Sequence, residues 1–254
     1  MKSKCKDPDR ALVNPLIIAH RGAAGSEIEN TMSAFERAVA EGADMLEMDI
    51  HLSAEGVPLV FHDLTLDRLL NQERTISEIS LRELKNISFN TGETIPLLEE
   101  VLDTFGHRIK LDLELKEKKC LAPVIRLIQE KKLVQQVILT SFDTAVVLRA
   151  TQLCSELKTG LIMGRRTWDP LIRLKEVFPL IDLLRSKARC LILHYSLAHS
   201  LLRNVLHLLG YQLYLWTSLE DEFAINSQYF KRCLELNVDG IATIWPAQLK
   251  QFKS

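Results

Sequence analysis

Short apolar runs and helix-period stretches alternate along nearly all of the 254 residues. Residues 16–19 form the first run. Asn30-Thr31 then caps a helix whose Phe35, Ala38 and Val39 share a face, and Gly42 ends it. Residues 43–51 and 58–61 are apolar runs joined by Ser53-Ala54-Glu55-Gly56, the composition of a hairpin turn. Helical periodicity returns after Ile95-Pro96 with Leu98, Val101, Leu102 and Phe105. Strand patterns follow at 108–116, 137–141, 159–163, 190–194, 212–217 and 238–243, with helical ones between them at 122–132, 144–154, 170–184, 198–209 and 221–236. Without the return arm of the hairpin this is about eight strands, each followed by helix, the pattern of an α/β (β/α)8 TIM barrel. A doubly wound open sheet is the alternative. Polar residues at the C-terminal ends of several strands favour the barrel, which keeps its site there. Residues 64–94 break the rhythm with Thr75, Ser77 and Ser80 heading short helices, and read as an insertion after the second strand and its hairpin. The expectation is one barrel domain over residues 1–254, with that insertion at about 64–94.

Two strands carry charge into this apolar pattern. In Leu46-Glu47-Met48-Asp49-Ile50-His51, successive side chains point to opposite faces, so Glu47, Asp49 and His51 share one. The hairpin returns His62 roughly opposite Glu47, give or take a residue. Leu111-Asp112-Leu113-Glu114-Leu115-Lys116 alternates in the same way. Glu47, Asp49 and Glu114 at a barrel mouth form three oxygen ligands, a set suited to Ca²⁺, Mg²⁺ or Mn²⁺. Arg21 and Lys116 add fixed positive charge, which makes the mouth a site for an anion such as phosphate. His20 and His62 titrate near neutrality and can act as proton acceptor and donor. The parts describe metal-assisted cleavage of a phosphate ester.

Composition narrows the setting. Hydrophobic residues at 47% and charged ones at 26% are ordinary for a globular protein. A formal charge of −1 leaves no basic footprint for nucleic acid. Five dispersed cysteines without a C-x-x-C pair predict reduced thiols and a cytoplasmic location. Lys2, Lys4 and Lys6 are followed by Asp7-Pro8-Asp9-Arg10 where a signal peptide needs an apolar core, and no run is long enough to span a bilayer. The chain carries no signature of an oligomeric state.

From Ile17 to about Pro246 the sequence resembles the glycerophosphodiester phosphodiesterase family. The motifs that carry the likeness are His20-Arg21-Gly22, Glu29-Asn30-Thr31, Glu47-Met48-Asp49, His62-Asp63, Glu114-Leu115-Lys116, Ser141-Phe142, Trp216-Thr217 and Asp239-Gly240-Ile241. The resemblance implies hydrolysis of a small-molecule glycerophosphodiester to glycerol 3-phosphate and an alcohol. By carry-over, Glu47, Asp49 and Glu114 bind the metal, His20 and His62 are the acid–base pair, and Arg21 and Lys116 hold phosphate. Glu29 supports Arg21 or the metal shell, and Trp216 packs against glycerol. Ile28 stands where the family has proline, and Ile244 where it has aspartate in T-D-x-P. Asp112 is expected in a buried structural pairing, His51 in a packing or supporting role, and His194 at the close of its strand with a chance of reaching the site. Two alternatives are a lysophospholipase D with peripheral lipid contact, its chain lying against residues 170–184, and a catalytically silent barrel that binds phosphorylated ligands. A barrel enzyme making a cyclic phosphate would share much of the machinery.

Overall fold

The computed structural model describes residues 14–164 and 179–253. Its strands are β1 (Leu16–Ala19), β2 (Met45–Leu52), β3 (Pro58–Val60), β4 (Lys110–Leu115), β5 (Val137–Ser141), β6 (Lys158–Met163), β7 (Cys190–His194), β8 (Gln212–Trp216) and β9 (Gly240–Thr243). β1 pairs in parallel with both β2 and β9, and β4 to β8 fill the arc between those two. Eight parallel strands therefore close into a barrel, which excludes the open sheet. β3 stands outside the ring as the antiparallel arm of a hairpin, with Ile50 opposite Val60 and His51 opposite Leu59.

The described helices are α1 (Met32–Ala40), α2 (Asp67–Leu70), α3 (Leu81–Leu84), α4 (Leu98–Phe105), α5 (Leu121–Glu130), α6 (Thr144–Leu153), α7 (Leu180–Ser186), α8 (Ser200–Leu208), α9 (Leu219–Leu236) and α10 (Pro246–Lys253). Among them no helix is long and apolar enough to cross a membrane. Of the expected helix at 170–184, residues 170–178 lie outside the described ones. In α7, Leu183 is buried while Ile181 and Leu184 are exposed.

Every residue of β2 is buried, and the period-two alternation decides what each meets. Leu46, Met48 and Ile50 face outward onto Phe35, Leu102 and Phe105. Met45 points inward with Ile18, Ile138, Ile162, Ile192 and Tyr214, an apolar layer inside the barrel. Glu47 and Asp49 share Met45's parity and continue that inner face toward the C-terminal end. The β2–β4 register sets Glu47 beside Asp112 and Asp49 beside Glu114.

Between β3 and α4 the insertion builds a core of its own. Leu66, Ile76, Ile79, Leu84 and Phe89 pack onto Leu59 and Phe61 of the hairpin arm. Ser80 and Glu83 form a reciprocal capping box at α3.

Candidate active site

The first part of the site is a turn. After β1, the backbone N–H of His20 donates to the Thr243 carbonyl at 2.9 Å, and Arg21 and Gly22 both take left-handed conformations (φ 57° and 81°). A Cβ on Gly22 would lie 2.8 Å from the Ala34 backbone, so glycine is required there. The turn aims the Arg21 backbone N–H at Glu47 Oε2 (2.8 Å). It also lays the guanidinium between Glu29 (Nη1 to Oε1, 2.9 Å) and Asp49 (Nε to Oδ2, 3.2 Å).

Glu47 and Asp49 from β2 and Glu114 from β4 each present an oxygen, all within 4.8 Å of one another. Lys116 Nζ lies 2.7 Å from Glu114 Oε1 and 2.9 Å from Asp49 Oδ1, the latter an ionic contact without good hydrogen-bond alignment. Burial, reinforced by Asp49 and Glu114, pushes the Glu47 carboxyl well above its ordinary range. Burial alone would raise Asp49 too, but Lys116 and Arg21 outweigh it and hold that group well below. A carboxyl pushed upward by burial and by acidic neighbours marks a site that favours added positive charge. Three converging carboxylates fit a hard divalent cation with oxygen preference.

Asn30 was expected to share in capping α1, but Thr31 alone takes the cap, accepting from Ala34 N. Asn30 is left-handed (φ 59°) and turns to Asp49, donating Nδ2 to Oδ2 at 2.8 Å and accepting from its backbone N–H at 3.3 Å.

The two expected acid–base histidines face the same cleft. His20 Nε2 is 3.9 Å from Glu47 Oε2, and its Nδ1 is buried without a hydrogen-bond partner. Burial, then the Arg21 charge, lowers its pKa to about 3, so the ring is neutral at pH 7. His62 follows β3 and donates Nδ1–H to Asp63 Oδ1 at 2.6 Å. Burial lowers its pKa as well. The His62 carbonyl is held by His51 Nε2 (3.1 Å), whose other nitrogen meets Glu117 (3.1 Å). His51 thus anchors the loop that carries His62.

The cleft is charged on one side and apolar on the other. Phe142, Trp216, Ile162, Ile192 and Tyr214 make the apolar wall. Trp216 is fixed by its indole N–H to the Met163 carbonyl (3.0 Å) and by edge contact with Phe142 (5.8 Å). His194 does not line the cleft; it backs Trp216 at 5.1 Å and bonds Ser196 Oγ. Asp112 lines the cleft, accepts from Thr140 Oγ1 at 2.7 Å, and burial raises its pKa to about 7. Ile244, one of the two departures, is fully buried away from the cleft. Its N–H donates to Glu222, a buried carboxyl on α9 that the Thr243 hydroxyl also contacts.

A sequence model of the glycerophosphoryl diester phosphodiesterase family matches residues 20–244, most of the barrel. The chain belongs to that family. A glycerophosphodiester phosphodiesterase of Caldanaerobacter subterraneus is 34% identical over 160 residues, covering 58% of this chain and 66% of that one. A lysophospholipase D of Rattus norvegicus is 27% identical, covering 92% and 85%. The structure of an Oleispira antarctica phosphodiesterase in complex with sn-glycerol-3-phosphate superposes with a TM-score of 0.73 at 24% identity, covering 93% and 96%. Around the cleft of this phosphodiesterase, Glu29 meets Arg21 as expected, while Asn30, Asp63 and Arg68 make contacts that the sequence alone did not suggest. Asn30 steadies Asp49, while Asp63, Glu29 and Arg68 form an ionic chain behind His62. Asn30 and Asp63 stood inside recognisable motifs, but Arg68 lies in the stretch where periodicity fails.

Proposed function

We propose that this phosphodiesterase hydrolyses a glycerophosphodiester with water to glycerol 3-phosphate and an alcohol. Glu47, Asp49 and Glu114 would hold a divalent cation, and His20 and His62 would move the protons. The observation that carries the reading is the meeting of these five groups with Arg21 and Lys116 in one cleft. The product held by the Oleispira relative supports the same product here. When bound, the ion would polarise the phosphoryl oxygens and offset the charge that builds on them.

The remaining roles follow from this chain's own side chains. Arg21 and Lys116, fixed by buried carboxylates, hold the anionic diester against the cleft wall. His62 is the better base: Asp63 on Nδ1 leaves Nε2 free to accept and stabilises the imidazolium formed when it takes a proton from water. His20 is then the second proton-transfer group. Burial and the Arg21 charge hold its ring neutral in the free protein. It would have to gain its proton in the substrate complex, where an entering phosphate anion offsets the Arg21 charge, before passing it to the leaving alcohol. The apolar wall of Phe142 and Trp216 shields the reacting phosphate from bulk water.

The test is release of glycerol 3-phosphate from glycerophosphocholine with added Mg²⁺, Ca²⁺ or Mn²⁺, and its loss with chelator. Turnover that survives full chelation removes the metal from the reading. No product under any ion returns the silent binding barrel. Reaction in ¹⁸O-water distinguishes attack by water from a cyclic phosphate route. The rat relative and the apolar wall favour a second reading, lysophospholipase D activity. Equal assays on a lysophosphatidylcholine decide it, and no turnover there ends it.

A further inference from the structure

One side chain of the insertion reaches into this ionic network. Arg68, on α2, donates Nη1 to Glu29 Oε2 (2.9 Å), Nη2 to Glu29 Oε1 (2.7 Å) and Nε to Asp63 Oδ2 (2.6 Å). The other Asp63 oxygen holds His62 Nδ1–H. Glu29 Oε1 also receives Arg21 Nη1. An unbroken path of charge-assisted hydrogen bonds therefore runs from His62 through Asp63, Arg68 and Glu29 to Arg21.

We propose that Arg68 is a positioning residue that fixes His62 relative to Arg21, an inference that rests on the roles given above to those two groups. Arg68 touches no reacting atom; it acts through the two carboxylates. A planar guanidinium can serve Glu29 through both terminal nitrogens and Asp63 through Nε at the same time, and a lysine ammonium cannot span both. Glu29 is 5% exposed at its side chain, so losing Arg68 leaves a buried carboxylate with Arg21 as its remaining charged partner. The Arg21 guanidinium would then shift toward Glu29 and away from the phosphate position. Asp63, released at one oxygen, would no longer hold the His62 ring in one orientation. What holds Arg68 itself is the insertion core. Leu66, the residue before α2, is fully buried in that cluster, and its N–H donates to the Arg74 carbonyl at 3.0 Å. The insertion is thereby part of the catalytic geometry, with Arg68 as its point of contact.

The surface offers a matched control. Arg108 makes the same fork to Glu36 (2.7 and 3.0 Å), and its side chain is 46% exposed against 45% for Arg68. Steady-state kinetics of Arg68→Ala, Arg68→Lys and Arg108→Ala in the metal-loaded protein test the proposal. In Arg68→Ala, kcat should fall about 10–100-fold as His62 loosens, and KM should rise as Arg21 shifts. Arg68→Lys should recover part of the loss, and Arg108→Ala should leave both constants unchanged. Nitrogen-15 spectra of His62 in the metal-free protein add a readout that needs no turnover. The unmodified protein should show a single tautomer protonated at Nδ1, and Arg68→Ala a mixture. Unchanged kinetics with an unchanged tautomer in Arg68→Ala, equal losses in Arg108→Ala, or full recovery by lysine would each overturn the proposal. An unmodified protein that releases no product sinks the functional reading instead, and the spectra then still decide what Arg68 does.

Discussion

Two histidines and a glycine show how single residues shape this site. His62→Ala and His20→Ala should each lower kcat by about 10²–10⁴ while the metal concentration giving half-maximal rate stays near that of the unmodified protein. Near-normal turnover in both would contradict the assigned roles. Gly22→Ala should destabilise by more than ~1 kcal/mol, because the new Cβ meets the Ala34 backbone in a left-handed conformation; chemical denaturation measures it. The residues that meet in the candidate site were legible where their chemistry interrupts an apolar run, as with Glu47, Asp49 and Glu114. They were not legible where the meaning lies in a partner distant along the chain. Asn30 looks like a helix cap because asparagine favours that position, and its bond to Asp49 exists only once β2 stands beside the turn. His51 lies on the Glu47 face of β2, yet it is spent on Glu117 and the His62 carbonyl.

Elements were read best where one period dominates. β2 and β4 alternate without interruption, and burial on both faces turns that alternation into an inner charged side and an outer apolar one. The hairpin register was right to within a residue: with Ile50 opposite Val60, His62 falls across from Met48 rather than Glu47. The insertion was legible as an interruption but not as a structure. Its helices have four residues each, too short for a 3.6-residue period to show, and its order comes from tertiary packing. Phe89→Ala should therefore act locally. It removes a buried ring from the insertion core, a change costing about 3–5 kcal/mol where the site cannot collapse. Amide exchange should quicken across 64–94 while β4 to β8 stay protected, and activity should drop as the anchorage of α2 loosens. Uniform loss of protection over the barrel would show instead that insertion and barrel unfold as one unit.

At the scale of the whole molecule, buried carboxyls shape the pH response, and one of them, Glu222, lies away from the cleft. Burial raises the Glu222 carboxyl from 4.5 to about 8, so folding favours its protonated form. Its stabilising contribution is complete below about pH 4.5 and is lost as pH climbs through about 8. Glu222→Gln keeps an acceptor for the Ile244 N–H without that titration, so its melting temperature should decline less between pH 5 and 8 than that of the unmodified protein. Parallel melting curves would refute the assignment. A metal requirement would also be a property of the assembled ring, because the three candidate ligands come from two strands. Glu47→Gln should raise the ion concentration needed for activity, and an unchanged requirement would remove Glu47 from the ligand set.

Closure of the ring has a consequence for the order in which competence arises. The strand that leads to His20 is the first described, yet one of its two neighbours, β9, is the last strand, and the His20 amide is satisfied by Thr243. On a ribosome, β1 must wait for every later strand of the ring to emerge before the seam between β1 and β9 can zip. A nascent polypeptide stalled before Thr243 would carry the three clustered carboxylates and both imidazoles and still lack the seam that sets His20 in register. Cleavage of phosphodiesters would then switch on only after β9 has been made and paired.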